Sequence, residues 1–321
     1  MDLSSPKIRR LIWIFGSIIT AIIASLLIHR FESGAAMDFP VDFGGELGDG
    51  IEWAVDWLTI NMAWFFDAIS DYLKVALGIL RDFLIWIPWP VMLVIVFLVG
   101  WKLAGLRIGL FSAGALALIG IVDLWESAMI TVSIMIVSVT ISVAAGIPIG
   151  ILASKSRLVD VGIRPILDGM QTIPPFVYLV PGIMFFGLGN VSAVLATVLY
   201  SIPPCIRLTN LGIRQVDPSV VEAGRAFGSS KMQLLAKVQI PLAIPTMMAG
   251  INQTIMMALA MVVIAAMIGA GGLGLKVLLA VGQLEEGDAL VAGVSIVILA
   301  IIVDRISQGY ISSRRNTGER G

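Results

Sequence analysis

The stretch EAGRAFGSSKMQLLAKVQIP, residues 222–241, is polar and carries four charges (Glu222, Arg225, Lys231, Lys237) between two very apolar runs. A chain that only had to re-enter a membrane could turn in a few residues. Its lead-in, VDPSVV (216–221), supplies a helix start: Asp217 is a good N-cap, and Pro218 suits the first helical position, where a missing N–H costs nothing. Gly228 then falls where a helix wants a left-handed residue, and Ser230 and Gln233 stand at capping-box spacing. Pro241 and Pro245 are expected to end that second helix. The stretch therefore reads as helix, glycine turn, helix. Val221, Gly224, Arg225 and Gly228 share one side of the first helix, and Glu222, Ala226 and Phe227 another, which suits docking to a second protein.

The runs on either side set the class. The chain has 321 residues, 58% hydrophobic and only 13% charged, whereas a soluble domain has about 25% charged residues. Apolar stretches long enough for a helix to cross hydrocarbon recur along it. The expected fold is all-α, a polytopic membrane helical bundle of about eight spans: 11–28, 85–101, 106–122, 128–152, 166–187, 190–206, 243–268 and 289–305. With the N-terminus inside, 17 of the 21 Lys and Arg fall on the inner segments and four outside. The positive-inside rule then makes both termini and the 222–241 stretch cytoplasmic. Lys7, Arg9 and Arg10 followed by Leu11–Ile28 could mimic a signal peptide cleaved at SGAA (33–36), but the apolar run is long for that, favouring an uncleaved span.

One cysteine, Cys205, and one histidine, His29, cannot form an internal disulfide or a zinc site. The outer segment 37–84 carries Trp53, Trp57, Ile60 and Trp64 at helical spacing, with Asp56, Asp67 and Asp71 elsewhere. That pattern predicts an amphipathic helix whose aromatic face packs on protein rather than on lipid, because its polar face is acidic.

A specific resemblance follows from these residues. Inner-membrane subunits of bacterial ABC importers carry a motif written EAA, three residues, G, nine residues, I, any residue, LP. Here Glu222-Ala223-Gly224, Gly228 and Val238-Gln239-Ile240-Pro241 keep that spacing, with Gly224 the main departure. The segments 170–190, 201–216, 248–274 and 294–308 resemble the glycine betaine/proline betaine permeases. The resemblance implies a type I importer core at 123–308 with a coupling module at 217–241. Ahead of the core stand N-terminal spans (1–122), and a cytoplasmic tail (309–321) follows it. It also implies ATPase-coupling roles for Glu222, Ala223, Gly224, Arg225, Phe227, Gly228, Ile240 and Pro241. The implied partners are two copies of a cytoplasmic ATPase carrying ATP-Mg, a second copy of this chain, an extracytoplasmic solute-binding protein and membrane lipid; nothing points to nucleic acid.

The chain offers no phosphate loop of its own. GAGGLGLK (269–276) has the wrong spacing and reads as a tight turn or broken helix end. No cofactor and no catalysis are therefore expected of this subunit. In 166–187, Pro174, Pro175, Pro181 and Gly182 interrupt the span, and such breaks are tolerated where protein or a water-lined cavity satisfies the freed backbone. Gln171, Thr172, Pro174, Pro175 and Tyr178 are candidates for a solute pathway or gate. Asn252 and Gln253 are divided between that role and helix packing. Asp168 and Asp304, near span ends, read as solvated or paired. A quaternary ammonium group favours aromatic faces, yet Trp125 and Tyr178 stand singly. Choline, carnitine or trimethylamine N-oxide are alternative solutes. An ion-driven transporter would call for carboxylates along the spans, and a membrane enzyme for convergent titratable groups.

Overall fold

The computed structural model describes residues 6–31 and 43–318, with side chains placed at 13–27 and 43–309. The possible cleavage site at 33–36 and the side chain of His29 lie outside the described residues, as do the side chains of nearly all of the tail. Two units are distinguished, residues 1–58 and 59–321. The first holds α1 (Pro6–Phe31) and most of α2 (Gly44–Asn61). No residue of α2 is buried.

The second unit is built of helices joined by short connections, with no strand among its described residues. It runs α3 (Ala63–Trp86), α4 (Trp89–Ala104), α5 (Leu106–Ile121), α6 (Trp125–Lys155), α7 (Arg157–Thr172), a 3₁₀ turn (Pro175–Tyr178), α8 (Leu179–Phe186) and α9 (Asn190–Arg214). Then follow α10 (Pro218–Ala226), α11 (Lys231–Leu234), a π turn (Leu235–Gln239), α12 (Ile240–Ile264), a 3₁₀ turn (Ala265–Ile268), α13 (Leu273–Gly282) and α14 (Glu286–Gly318). Among the described residues, four helical stretches are long and apolar enough to cross a membrane, or up to six if each of two bent pairs is one span. The eight expected spans are thus fewer as straight rods. Residues 85–101 begin in α3, which meets α4 at 100°, and 166–187 breaks into α7 and the 175–186 segment at 112°. Ile87 and Ile173, both in extended conformation just before a proline, are the cause.

The centre of the bundle is α6 against α9, with α12 closing on α9. Small residues repeat every fourth position on both α6 and α9, and the two stripes mate in register. The hydroxyls of Ser142 and Ser201 lie 3.1 Å apart. One turn on, a methyl group on Gly146 would stand 2.9 Å from Cys205 Sγ. A further turn on, a methyl group on Gly150 would stand 2.6 Å from Thr209 Cβ and 2.8 Å from the Ile206 carbonyl oxygen. Without side chains at 146 and 150 the helix backbones approach closely, as packing inside a bilayer favours. Cys205 is wholly buried in this seam, in keeping with a small packed thiol.

One helix outruns its expected span, and one expected helix ending does not occur. Helix α9 continues through Pro203 and Pro204 to Arg214, well past residue 206. Both prolines are fully buried, so packing holds the helix where local bonding is lost. Likewise Pro241 and Pro245 do not stop the second helix of the opening stretch. The chain passes through the π turn into α12, and Lys231–Ile268 forms one continuous stretch. The wider π turn absorbs the donor that Pro241 lacks.

Helix α3 lies on this centre through Leu73 and Leu77, which join Ile134, Val191, Val194 and Leu259 in one core cluster. Trp53, Trp57 and Ile60 on α2 are more than half exposed within the chain, and so is Trp64 on α3. The helical run that carries this aromatic pattern breaks at Met62, between α2 and α3. The turn at 269–272 is present, with Gly269 at φ +79 and Gly272 at φ +98 opening α13.

Candidate functional site

The polar stretch folds as its local chemistry dictates. Asp217 caps α10, its Oδ1 accepting the Ser219 N–H at 2.8 Å. These hydrogen bonds, backbone first, hold the Asp217 carboxyl below the ordinary carboxylate range. Helix α10 ends in a Schellman arrangement: Gly228 adopts φ +79, its N–H reaches the Arg225 carbonyl at 2.9 Å, and the Ser229 N–H reaches the Gly224 carbonyl at 3.1 Å. A full capping box opens α11. The Gln233 N–H donates to Ser230 Oγ at 3.3 Å, and the Ser230 N–H donates to Gln233 Oε1 at 2.9 Å.

Val221 and Gly224 face inward, while Glu222, Ala223, Arg225, Ala226 and Phe227 are exposed. Gly224 has a steric reason. A methyl group there would lie 2.7 Å from Leu234 Cδ1, so its absence lets α10 close on the buried Leu234. Phe227 is 92% exposed and Met232 72%, leaving two large apolar side chains on the outside of the module. Ile240 is half-buried and Pro241 exposed at the start of α12.

Behind α10 lies a cleft of about 260 Å³, lined by Lys155, Arg214, Val221, Glu222, Arg225 and Gln239 among others. Lys155, at the end of α6, donates to Gln239 Oε1 of the π turn at 2.5 Å. One layer further in, the carboxylate of Asp160, only 3% exposed, gathers three partners. Arg164 donates to it at 2.6 and 3.2 Å, Asn210 at 2.7 Å, and Arg214 stands at 3.2 Å. Arg214 also donates to the Ala153 carbonyl at 2.8 Å and to Asn210 Oδ1 at 2.9 Å. Thus α6, α7 and α9 are tied together beside the module. The sequence reading did not single out Asp160, Asn210 or Arg214 as a group. The spacings Asp160/Arg164 and Asn210/Arg214 were the visible signal.

The interrupted segment is an open elbow. Gln171, Thr172 and Pro174 are exposed and Pro175 half-buried. Thr172 bonds back to the Gly169 carbonyl at 2.9 Å. Tyr178 is buried; its hydroxyl donates to the Met170 carbonyl, and its ring meets Tyr200 edge-on at 5.8 Å. Tyr178 therefore staples the 3₁₀ turn to the end of α7, and it is paired rather than single. Trp125 packs beside the cluster of Ile87, Met92 and Leu116.

Asn252 turns away to α14: its amide donates to Asp304 at 3.3 Å, and it accepts from Ser307. Asp304 also accepts from Gln308 at 2.7 and 2.8 Å. Gln253 is exposed. Asp168 is ion-paired with Arg207. Among the described residues no group of acidic, histidine or cysteine side chains could hold a metal.

The chain is thus a polytopic helical bundle with a capped polar helix pair set ahead of one of its long helices. The chain matches the family model described as "Binding-protein-dependent transport system inner membrane component" over residues 146–317, and it belongs to that family. It is 44% identical over 266 residues to the glycine betaine/proline betaine transport system permease protein ProW of Escherichia coli (strain K12), covering 83% of this chain and 75% of that protein. Identity to the glycine betaine transport system permease protein OpuAB of Bacillus subtilis (strain 168) is 44% over 272 residues, 85% of this chain and 96% of that one. The glycine betaine/carnitine transport permease protein GbuB of Listeria monocytogenes is also 44% identical over 272 residues, 82% and 95% of the two chains. In fold, the chain is similar to an inward-facing MetNI methionine ABC transporter chain (TM-score 0.53, 22% identity, 57% of this chain and 92% of that one). Relatives of this kind are ABC transport permeases, multi-pass inner-membrane subunits.

Proposed function

We propose that this chain is the membrane subunit of an ATP-driven, binding-protein-dependent importer of a quaternary ammonium compatible solute, glycine betaine or proline betaine. The observation that carries the reading is the module at 217–241, fully capped, apolar at its tip and built into the helix that continues as α12. The names of the relatives support the solute.

In this reading both termini are cytoplasmic and residues 123–308 form the transport core, preceded by spans and outer-face helices in 1–122. Two copies pair with two ATPase subunits, which bind ATP-Mg, and an extracytoplasmic protein delivers the solute. Glu222, Ala223, Arg225 and Phe227 meet the ATPase. Gly224 and Gly228 shape α10, and Ile240 and Pro241 join the module to α12. Closure of the ATPase dimer then moves α10. Through Lys155–Gln239 and the Asp160 group, that movement reaches α6, α7 and α9. The elbow at Gln171, Thr172, Pro174, Pro175 and Tyr178 is the gate, where α7 turns. Asn252 serves helix packing through α14, and Gln253 is the weaker pathway candidate.

The test is gentle solubilisation and co-purification from the native membrane, with Glu222→Lys alongside. An ATP-binding subunit should accompany the wild type and be depleted with Glu222→Lys, and reconstituted uptake of glycine betaine should need ATP and the binding protein. An ATPase absent from the wild type, or retained equally by the variant with uptake unchanged, would overturn the coupling role.

A further inference from the structure

A second polar cavity, of about 380 Å³, lies at the opposite end of α6 and α9 from the module, between α3 and the starts of those two helices. Helix α3 carries three carboxylates, Asp67, Asp71 and Asp82, and two cations, Lys74 and Arg81. Both cations line this cavity and none of the three carboxylates does. They stand seven residues apart, hence on one face of the helix. Asn190 and Val191, the first residues of α9, form part of the opposite wall. A helix start adds N–H groups without intrahelical acceptors and the positive end of its dipole. Ser70 and Ser133 add hydroxyls, and Phe186 an aromatic wall. Phe186 is itself braced edge-on against Phe66, which stacks on Phe185 at 4.8 Å.

The two cations do have acidic neighbours: Lys74 lies 3.4 Å from Asp71 and Arg81 2.8 Å from Asp82. Both pairs are largely exposed, and exposed pairs contribute little. An anion within the groove would meet both cations together with the Ser70 and Ser133 hydroxyls and the α9 start, so that several charge-assisted contacts act on one ligand. We propose that this groove binds one oxyanion, a carboxylate or a phosphate. Two sources share that chemistry. One is the carboxylate of the incoming zwitterionic solute, with Phe186 facing its trimethylammonium end; this source rests on the function proposed above. The other is the phosphate of a phospholipid headgroup, which does not depend on that function.

The test uses the assembled transporter, detergent-purified for the lipid readout and reconstituted into sealed proteoliposomes for uptake, comparing the wild type, the double variant Lys74→Gln/Arg81→Gln and the control Lys276→Gln, a cation outside the groove. Two quantities are read at equal amounts of assembled complex: phospholipid phosphorus retained after detergent washing, and the concentration of glycine betaine-loaded binding protein giving half-maximal uptake. Loss of retained phosphorus only in the double variant identifies the lipid source. A rise of about tenfold in the half-maximal concentration only in the double variant identifies the solute source, as expected for lost charge-assisted bonds. A double variant matching the wild type in both readouts, or a Lys276→Gln control changed to the same degree, overturns the proposal. If the wild type takes up no glycine betaine while its ATPase is active, the assigned solute is wrong, and the phosphorus readout still decides for or against the groove.

Discussion

Asp160 is the side chain whose removal reaches furthest, because one carboxylate satisfies groups on two helices and steadies a third. Asp160→Ala removes the acceptor that Asn210 and Arg214 share; Arg214 keeps the Ala153 carbonyl, but the half-buried Asn210 amide loses its bond, and an unmet group away from water costs more than a made bond contributes. Arg164→Gln removes a partner that is itself 64% exposed. Detergent-extracted protein should therefore show a marked loss of the monodisperse species for Asp160→Ala and little for Arg164→Gln. Equal behaviour of the two would refute the joint role. The residues here illustrate what a sequence can convey. Asp217, Gly228, Ser230 and Gln233 were legible because a cap is settled within four residues of itself. The Asp160 group was not, since Asn210 lies fifty positions away and only the packing of α7 on α9 brings it in. Asn252 was readable as a polar residue in a span, but its partner on α14 was not.

At the scale of elements, the α6–α9 seam makes a sharp prediction. Gly150→Ala places a methyl group against Thr209 and a backbone carbonyl, neither of which can swing aside as a long side chain would. Overpacking of this kind costs about 1–3 kcal/mol. Thermal unfolding of the purified protein should occur at lower temperature, whereas Gly162→Ala, with open space around it, should be near neutral apart from helix propensity. Helix α10 responds to pH through its cap. Because the folded Asp217 carboxyl titrates below its ordinary range, its contribution is whole above that range and is lost as pH falls through the depressed value. Protection of the α10 amides, with exchange corrected for its intrinsic pH dependence, should thus fall in acid in the wild type, and be low already at neutral pH in Asp217→Ala. Local pattern located the elbow at Pro174–Pro175, where the extended Ile173 breaks the helix, yet the Tyr178 contact with the Met170 carbonyl across the 112° turn was not legible. Proline misled at 241, where a π turn keeps the helix going.

For the whole molecule, the distribution of Lys and Arg and the fold make one joint prediction. Cys205 is buried and should stay silent to a membrane-impermeant maleimide. In a Cys205→Ser background, Phe227→Cys should react only from the cytoplasmic side, and Leu284→Cys, at an 86% exposed position between α13 and α14, only from the other. Labelling of both from one side would invert or break the proposed topology. The membrane class was plain from composition because hydrocarbon imposes length and apolarity on every span. Span number was less so, since a bent pair and a straight helix share the same composition. The exposed Phe227 and Met232 carry a further cost for the cell. Under the proposed function, a copy made without the ATPase presents a bare adhesive tip to water, so matched production of the two is expected, with surplus copies prone to aggregation and quality-control proteolysis.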